Sequence, residues 1–170
     1  MLRRCAAAIV MVGALVAPAS ATAAAKTVSP QDETYLTTAI AGDRFEIQGG
    51  TMAAGKTGNA AVKTLAQRLV SDHSKSLKQA LAVARRLGIK APNKPDPPMQ
   101  WELRITASLA GADFDRWWSD LEVQDHKQDI AEATTEKRAG SNATIKNLAA
   151  QEIPTLRTHL KLAEEALAAS

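Results

Sequence analysis

Four stretches of the sequence repeat apolar residues every three or four positions, the spacing that gathers them on one face of an α-helix. The clearest stretch begins at Asn59, a capping residue, and ends at Gly88, a typical helix terminator; its apolar positions are Val62, Leu65, Ala66, Leu69, Val70, Leu77, Leu81, Ala84 and Leu87. A helix with one apolar face must bury that face against other helices. The pattern therefore predicts a helical bundle.

The ends of the other long helices can also be recognised. Ser29 can cap the first helix, with Asp32 closing a variant capping box, and Gly140 follows the third. Pro154 falls inside the fourth helix, where it is expected to kink or break it. The predicted spans are residues 30 to about 54, 59–87, about 113–139, and 141 or 142 to about 167.

The connection between the second and third long helices is far longer than the other two. Residues 88–112 contain four prolines and a short helical pattern from about Met99 to Leu109, with Trp101 and Ile105 as its expected anchors. A connection of this length can return along a bundle, and no window alternates as a half-buried strand would. The sequence therefore predicts an all-α, ferritin-like four-helix bundle with one long crossover that contains a short extra helix.

The first 25 residues have the pattern of a secretory signal peptide: two arginines, a short apolar run and then small residues. Cleavage is predicted between Ala21 and Ala25, by either the Sec or the twin-arginine route. Residues 26–170 then form one domain, with its core at about 30–167, in a periplasmic or secreted protein. No later run approaches the ~20 apolar residues of a membrane-spanning helix.

Composition excludes several classes of function. The one cysteine, Cys5, lies in the predicted signal peptide, so the mature chain is expected to lack disulfides, zinc–thiolate sites and cysteine nucleophiles. Loss of Arg3 and Arg4 lowers the formal charge from +3 to +1, which gives no indication of a nucleic-acid partner. No nucleophile–base pair or phosphate-binding loop is recognisable, so the sequence favours a non-enzymatic protein.

The three histidines are the residues most suited to chemistry. His73, His126 and His159 fall on the apolar stripes of three different helices and are predicted to face inward. Imidazole nitrogens converging in a bundle core, together with carboxylate oxygens, suit iron, manganese, zinc or copper. The sequence therefore offers a candidate site for one transition-metal ion.

Carboxylates that could complete the site lie on neighbouring turns. Glu46 shares a face of the first helix with Asp43, and Glu122 lies one turn before the second histidine. Either glutamate is a candidate oxygen ligand. Asp72 and Asp125, which directly precede two of the histidines, are candidates for orienting the imidazoles from outside the ligand set.

Two other interpretations of these residues remain open. Each histidine can be a buried core residue that donates one ring N–H to a carbonyl or carboxylate, with the aspartates facing solvent. Alternatively, Trp117 and Trp118 can line a pocket for a small apolar ligand between the helices.

Four motifs, in order along the chain, carry a resemblance to a known family: Phe45-Glu46-Ile47, Leu69-Val70-Ser71-Asp72-His73, Phe114-Asp115 with Asp125-His126, and Ile153-Pro154 with Leu156 and His159-Leu160. The chain resembles the secreted bacterial proteins grouped as Domain of Unknown Function 4142, within the ferritin-like group. The resemblance covers residues 30–167; it implies a four-helix bundle outside the cytoplasm and no particular activity.

The chain departs from true di-iron ferritins, which carry Glu-x-x-His on two helices. Val70, Val123 and Leu156 stand three residues before the histidines, so the standard two-metal cage is not expected. The first interpretation is thus a non-enzymatic, secreted or periplasmic bundle with a structural or stress-linked interaction role. The alternative is a metal-binding ferritin-like protein with a histidine–carboxylate site. The sequence indicates neither a protein partner nor an oligomeric state.

Overall fold

The computed structural model describes residues 27–170, and this part of the chain is all-α. The predicted signal peptide, residues 1–25, lies outside the described residues. Four long helices and one short one follow in order: α1 (Pro30–Lys56), α2 (Ala60–Leu87), α3 (Pro97–Ser108), α4 (Gly111–Ala139) and α5 (Ala143–Ala168). None of the helices in the described part is both long and apolar enough to cross a membrane.

The helix ends follow the capping signals in the sequence. Ser29 and Asp32 form a complete capping box at the start of α1, and the Asn59 side chain accepts from the first backbone N–H groups of α2. Gly88 ends α2 in the left-handed conformation (φ 71°), which costs glycine little because it has no Cβ. The predicted capping roles of these residues are confirmed.

Some predicted boundaries and one predicted break are corrected. α3 begins at Pro97, because two prolines fit the first helical turn, and α4 begins at Gly111, two residues before the predicted start. α5 runs unbroken through Pro154, whose side chain is exposed. Of the kink or break predicted there, the break is absent, since a proline removes only one of the backbone hydrogen bonds of this 26-residue helix.

Contacts between helix ends define the topology. The Lys56 ammonium at the end of α1 donates to the Ala107 carbonyl just before α4, and the Asn59 amide at the start of α2 donates to the Ala169 carbonyl after α5. α1 is therefore antiparallel to α4, and α2 to α5. The crossover returns along α1, where the Arg44 guanidinium donates to a crossover carbonyl at 3.1 Å. This is the single long connection that the sequence predicts.

The apolar core consists of two clusters, one toward each end of the bundle. The first contains Tyr35, Leu36, Ile40, Ala80, Ala84, Ala133, Ile145, Leu148, Ala149 and Leu156. The second contains Ala53, Val62, Leu65, Ala66, Leu69, Phe114, Trp118, Val123, Ala163 and Ala166. On every long helix, the residues between the two clusters include polar side chains that are themselves buried.

The tryptophans occupy different environments from those predicted. Trp101, expected to anchor the crossover, is 54% exposed, and Trp117 is 41% exposed, whereas Trp118 is buried against Phe114. Consecutive residues on a helix point in different directions, so Trp117 and Trp118 do not line one shared pocket. Among the described residues, a groove of about 510 Å³ includes Trp117 but not Trp118, and three charged side chains, Asp113, Arg116 and Asp120, also line it, so an apolar pocket shared by the pair is not formed.

Candidate metal centre

A layer of buried polar side chains lies at mid-length of the bundle, between the two apolar clusters. His73 on α2, His126 on α4 and His159 on α5 are 6%, 0% and 1% exposed. Each stands where its helix would otherwise place an apolar residue, because each continues the three- and four-residue spacing of its helix. Their predicted inward orientation is confirmed.

The three imidazoles converge on a common interior region. The ring centroids are 5.1 Å apart for His73 and His159, 5.2 Å for His126 and His159, and 5.8 Å for His73 and His126. One ring nitrogen of each histidine lies within 4.8 Å of the corresponding nitrogen of the other two. The three histidines are therefore close enough together to form a candidate metal site.

Hydrogen bonds to outside groups fix which nitrogens face inward for two of the rings. His126 Nδ1 donates to the Glu122 backbone carbonyl at 2.9 Å, and a carbonyl can only accept. His159 Nε2 lies 3.2 Å from an Asp72 carboxylate oxygen. Although burial opposes the charge of Asp72, hydrogen bonds from His159, Lys75 and Arg68 lower its pKa to about 2, so this carboxylate also only accepts. Both histidines therefore carry their proton on the outer nitrogen.

The inner nitrogens of these two rings consequently face each other as lone pairs. His126 Nε2 and His159 Nδ1 are 3.3 Å apart, and both side chains are almost fully buried. A proton between them would relieve the repulsion, but burial lowers the pKa of His126 to about 3 and that of His159 to about 4. A cation between them would satisfy both nitrogens at neutral pH.

The third histidine presents its free nitrogen in a similar way. His73 Nδ1 lies 2.8 Å from a carboxylate oxygen of Asp43 on α1, while His73 Nε2 is buried without a hydrogen-bond partner among the described residues. Burial lowers the pKa of His73 to about 4 and raises that of Asp43 to about 8. When Nδ1 donates its proton to a carboxyl oxygen of Asp43, Nε2 is the nitrogen available to a ligand.

The two predicted glutamate ligands occupy a separate position. Glu46 and Glu122 are fully buried, and the ring nitrogen nearest to both is Nδ1 of His126, at 3.9 and 3.7 Å. That nitrogen is on the outer edge of the ring, away from Nε2. The structure thus brings the glutamates to the histidine layer but not to the inner nitrogens, because the His126 ring stands between them.

The two aspartates predicted to orient the imidazoles differ in their contacts. Asp72 does bind an imidazole, but it is that of His159 on a different helix and not that of the adjacent His73. Asp125 is half-buried and lies within hydrogen-bonding reach of Glu46. Neighbours in sequence on a helix point about 100° apart, so an aspartate beside a histidine contacts a different group.

Asp43 and Glu152 also contact the polar layer, although neither is among the ligands predicted from the sequence. Asp43 is the group that holds His73, and its position three residues before Glu46 on the same helical face was the available signal. Glu152 accepts from the Tyr35 hydroxyl at 2.7 Å and from the Ser76 hydroxyl at 3.0 Å. Both carboxylates line the same cavity as His73 and His159.

A cavity of about 340 Å³ connects the histidines with the surface. Its inner wall includes His73 and His159, and its outer wall includes the exposed side chains of Lys75 and Gln151. The wall between them is rich in carboxylates, namely Asp43, Asp72, Asp129, Glu132 and Glu152. The histidine layer is therefore reached through a polar passage lined by these carboxyls together with Arg68 and Lys75.

Comparison with known proteins identifies the family and the fold. Residues 17–166 match the family described as Domain of unknown function (DUF4142), and the chain belongs to that family. A similar solved structure is that of a DUF305 fragment from Deinococcus radiodurans: it shares 15% identity, with a TM-score of 0.73, over 84% of this chain and 98% of the other. At this identity the likeness concerns the fold alone. No curated protein matches the chain.

Proposed function

We propose that this member of the DUF4142 family is a metal-binding protein in which His73, His126 and His159 hold one first-row transition-metal ion. The proposal rests mainly on the pair of inner nitrogens, His126 Nε2 and His159 Nδ1, which face each other as lone pairs at 3.3 Å. Two nitrogens at about 2.05 Å from one ion lie about 3.3 Å apart at the tetrahedral angle. The pair therefore has the spacing of two ligands of a single ion.

The surroundings of the three rings support the same conclusion. Metal-bound histidines usually donate their other N–H to a carboxylate or a carbonyl, which fixes the ring and its tautomer. Asp43, the Glu122 carbonyl and Asp72 occupy those positions here, one for each ring. The alternative of ordinary core histidines accounts for the three outer bonds but leaves the three inner nitrogens without donors.

Imidazole ligands favour zinc, copper, iron and nickel over magnesium or calcium. With three protein nitrogens, the ion retains a position for a further ligand on the cavity side. We assign no catalytic step to this position. The role that fits best is uptake or retention of a transition-metal ion by a ferritin-like bundle.

The test is a metal-binding titration. The protein is expressed with its own leader, purified, stripped of metal with a chelator and titrated with Co²⁺ or Zn²⁺. One ion per chain is expected, and Co²⁺ should give the strong visible absorption of a four-coordinate nitrogen site. His159→Ala and His126→Ala should abolish both signals. A metal-free chain that binds no Co²⁺, or binds it equally well in these variants, would contradict the proposal.

Glu136→Gln is the matched control for these variants. Glu136 is a buried acid at the far end of α4, beside Asp32 and away from the histidines. This variant should bind Co²⁺ as the unaltered chain does. Circular dichroism on every variant separates lost binding from lost folding, because an all-α chain reports unfolding as lost helical signal.

We also propose that the protein works outside the cytoplasm, as a secreted or periplasmic protein. The support is the signal-peptide pattern of residues 1–25. Amino-terminal sequencing of the protein recovered from a bacterial periplasm should give a start between residues 22 and 26. An intact Met1 on the recovered protein would contradict this.

A further inference from the structure

Two glutamates in the polar layer are buried in a way that needs explanation. Glu46 on α1 and Glu122 on α4 are each 0% exposed, and none of their four carboxylate oxygens forms a well-aligned hydrogen bond within residues 27–170, where the nearest polar groups are the two carboxyls themselves, Asp125 and the Trp118 N–H. Buried carboxylates are normally paired or bound to a metal, because losing water without a replacement is costly. The two side chains therefore indicate a missing partner.

The orientation of His126 separates these glutamates from the three-histidine site. The two carboxylates approach Nδ1, at 3.9 and 3.7 Å, whereas the proposed ion lies against Nε2. Nδ1 is itself occupied, since it donates to the Glu122 carbonyl. An ion between the glutamates would therefore be bound by oxygen atoms and not by this imidazole.

Other groups around the glutamates are also acidic or without partners. Asp125 lies within hydrogen-bonding reach of Glu46. Glu102 on α3 lies near Asp125, and burial together with this negative neighbour raises the pKa of Glu102. Asp125 and Glu102 are only half-buried, so the acidic group reaches solvent between α3 and α4. This approach is distinct from the cavity that leads to the histidines.

The indole of Trp118 lies at the inner side of the same group. It is 1% exposed, and its Nε1–H forms no well-aligned hydrogen bond among the described residues. A Cβ built on Gly49 would meet Trp118 Nε1 at 3.3 Å and a Glu122 carboxylate oxygen at 3.8 Å, which places the two groups side by side. An N–H next to a carboxylate favours its ionised form.

We propose that Glu46 and Glu122, with Asp125 at the outer edge, form a second cation site that takes a hard divalent ion such as Mn²⁺. Carboxylate oxygens suit magnesium, calcium and manganese, whereas the three imidazoles suit softer ions. The polar layer thus contains two sites with different metal preferences, one at each edge of the His126 ring. This site does not depend on the histidine site, and either can exist alone.

The direct test is Mn²⁺ binding, measured by calorimetry and by electron paramagnetic resonance. The His73→Ala/His159→Ala chain should still bind one Mn²⁺, because its oxygen ligands are intact. Glu46→Gln/Glu122→Gln should weaken Mn²⁺ binding by more than about 100-fold, because loss of an outer-shell partner alone typically costs about 10–100-fold and here the ligands themselves are removed, while Co²⁺ still binds at the histidines. Glu136→Gln is again the control and should bind Mn²⁺ normally.

A second measurement uses the unaltered chain. Tb³⁺ prefers oxygen ligands, and its emission is sensitised by a nearby indole, so Tb³⁺ at this site should emit when Trp118 is excited. Trp118→Phe should remove most of that emission, whereas Trp117→Phe, on the adjacent and exposed tryptophan, should keep it.

Two results would overturn the second site. The first is a chain that binds no Mn²⁺ or Tb³⁺, which would mean that the two glutamates share a proton. The second is Mn²⁺ binding that Glu46→Gln/Glu122→Gln leaves unchanged. Loss of Co²⁺ binding at the histidines would contradict the proposed function and leave the glutamate site standing, so the two failures are distinguishable.

Discussion

Two buried acidic regions of this bundle have opposite surroundings. At the end of the bundle, Asp32 is 0% exposed and accepts from the Ser29 backbone and hydroxyl and from the backbone N–H groups of Ser141 and Asn142, at 2.6 to 3.0 Å. At mid-length, Glu46 and Glu122 are equally buried, but their oxygens form no well-aligned hydrogen bond in the described part of the chain.

The acidities of the two regions follow from these contacts. Burial alone would raise the pKa of Asp32, but its hydrogen bonds outweigh burial and hold the pKa well below its usual range. At mid-length burial outweighs the contacts of Glu122 with Glu46 and Trp118, so the pKa of Glu122 rises to about 8, and burial raises that of Glu46 as well. The fold therefore holds Asp32 in its ionised form and does not do so for the two glutamates.

The largest expected effect on stability concerns Asp32, the hydrogen-bonded carboxylate at the end of the bundle. Asp32→Ala removes the acceptor of four donors and leaves buried N–H groups unpaired, so it should lower the free energy of unfolding by about 3 to 4 kcal/mol. Urea denaturation of the metal-free protein measures this. A loss below about 1 kcal/mol would mean that the end of the bundle is no better satisfied than its middle.

The next effect concerns the histidines. Zn²⁺ that binds only the folded chain should stabilise it by about 2.7 kcal/mol at a free concentration 100 times its Kd. His159→Ala should remove this stabilisation, and Asp32→Ala should retain it despite its lower stability, because the cap and the polar layer are at different positions. Thermal unfolding with and without Zn²⁺ compares the three chains; equal stabilisation of all three would place the ion elsewhere.

The unsatisfied glutamates should show the opposite pH dependence from Asp32. Glu122 has a pKa raised from 4.5 to about 8, so the folded chain binds more protons than the unfolded chain between these values, and stability should fall as pH rises through them. Asp32, with its lowered pKa, contributes stability above pH ~4 that is lost in stronger acid.

Glu46→Gln/Glu122→Gln should therefore stabilise the metal-free chain at pH 8 by about 1 to 3 kcal/mol, because it removes charge that the interior does not solvate. It should also flatten the decline of stability between pH 5 and pH 8. Urea denaturation across this range is the measurement. An unchanged slope would show that the two glutamates are not the groups that titrate.

The smallest effect tests a satisfied carboxylate within the polar layer itself. Tyr35→Phe removes the hydroxyl that donates to Glu152 at 2.7 Å and should cost about 1 kcal/mol, as for a typical buried hydrogen bond. Co²⁺ binding at the histidines should be unchanged. A Tyr35→Phe chain with altered Co²⁺ absorption would extend the metal centre to Glu152.

Much of the fold could be predicted because it depends on local rules. Asn59, Gly88 and Asn142 act at helix ends as their chemistry requires, and the length of the crossover alone decides that the chain returns along the bundle. The prediction that Trp101 anchors the crossover was wrong. A large aromatic residue usually anchors a short helix, and only the packing of the whole chain shows that this side chain is exposed.

The candidate site was predictable only in part. Helical spacing shows that the histidines face inward, but the edge that a ring presents depends on side-chain rotation and on neighbours from other helices. His159 is held by Asp72 of α2, and His73 by Asp43 of α1, contacts between residues far apart in sequence. For the same reason, the sequence predicts that Glu46 and Glu122 lie in the polar layer, but it does not predict which edge of the His126 ring they face.

The division of the apolar core into two clusters has a consequence for local opening. Helices usually fray from their ends, but here the ends are held by caps and by apolar contacts, while the middle turns carry polar groups that gain little from burial. In the metal-free protein, amide hydrogens near His73, His126 and His159 should exchange with solvent faster than those several turns away on either side. Added Zn²⁺ should slow that exchange first, because an ion bound to the three histidines would hold the middle turns of three helices together.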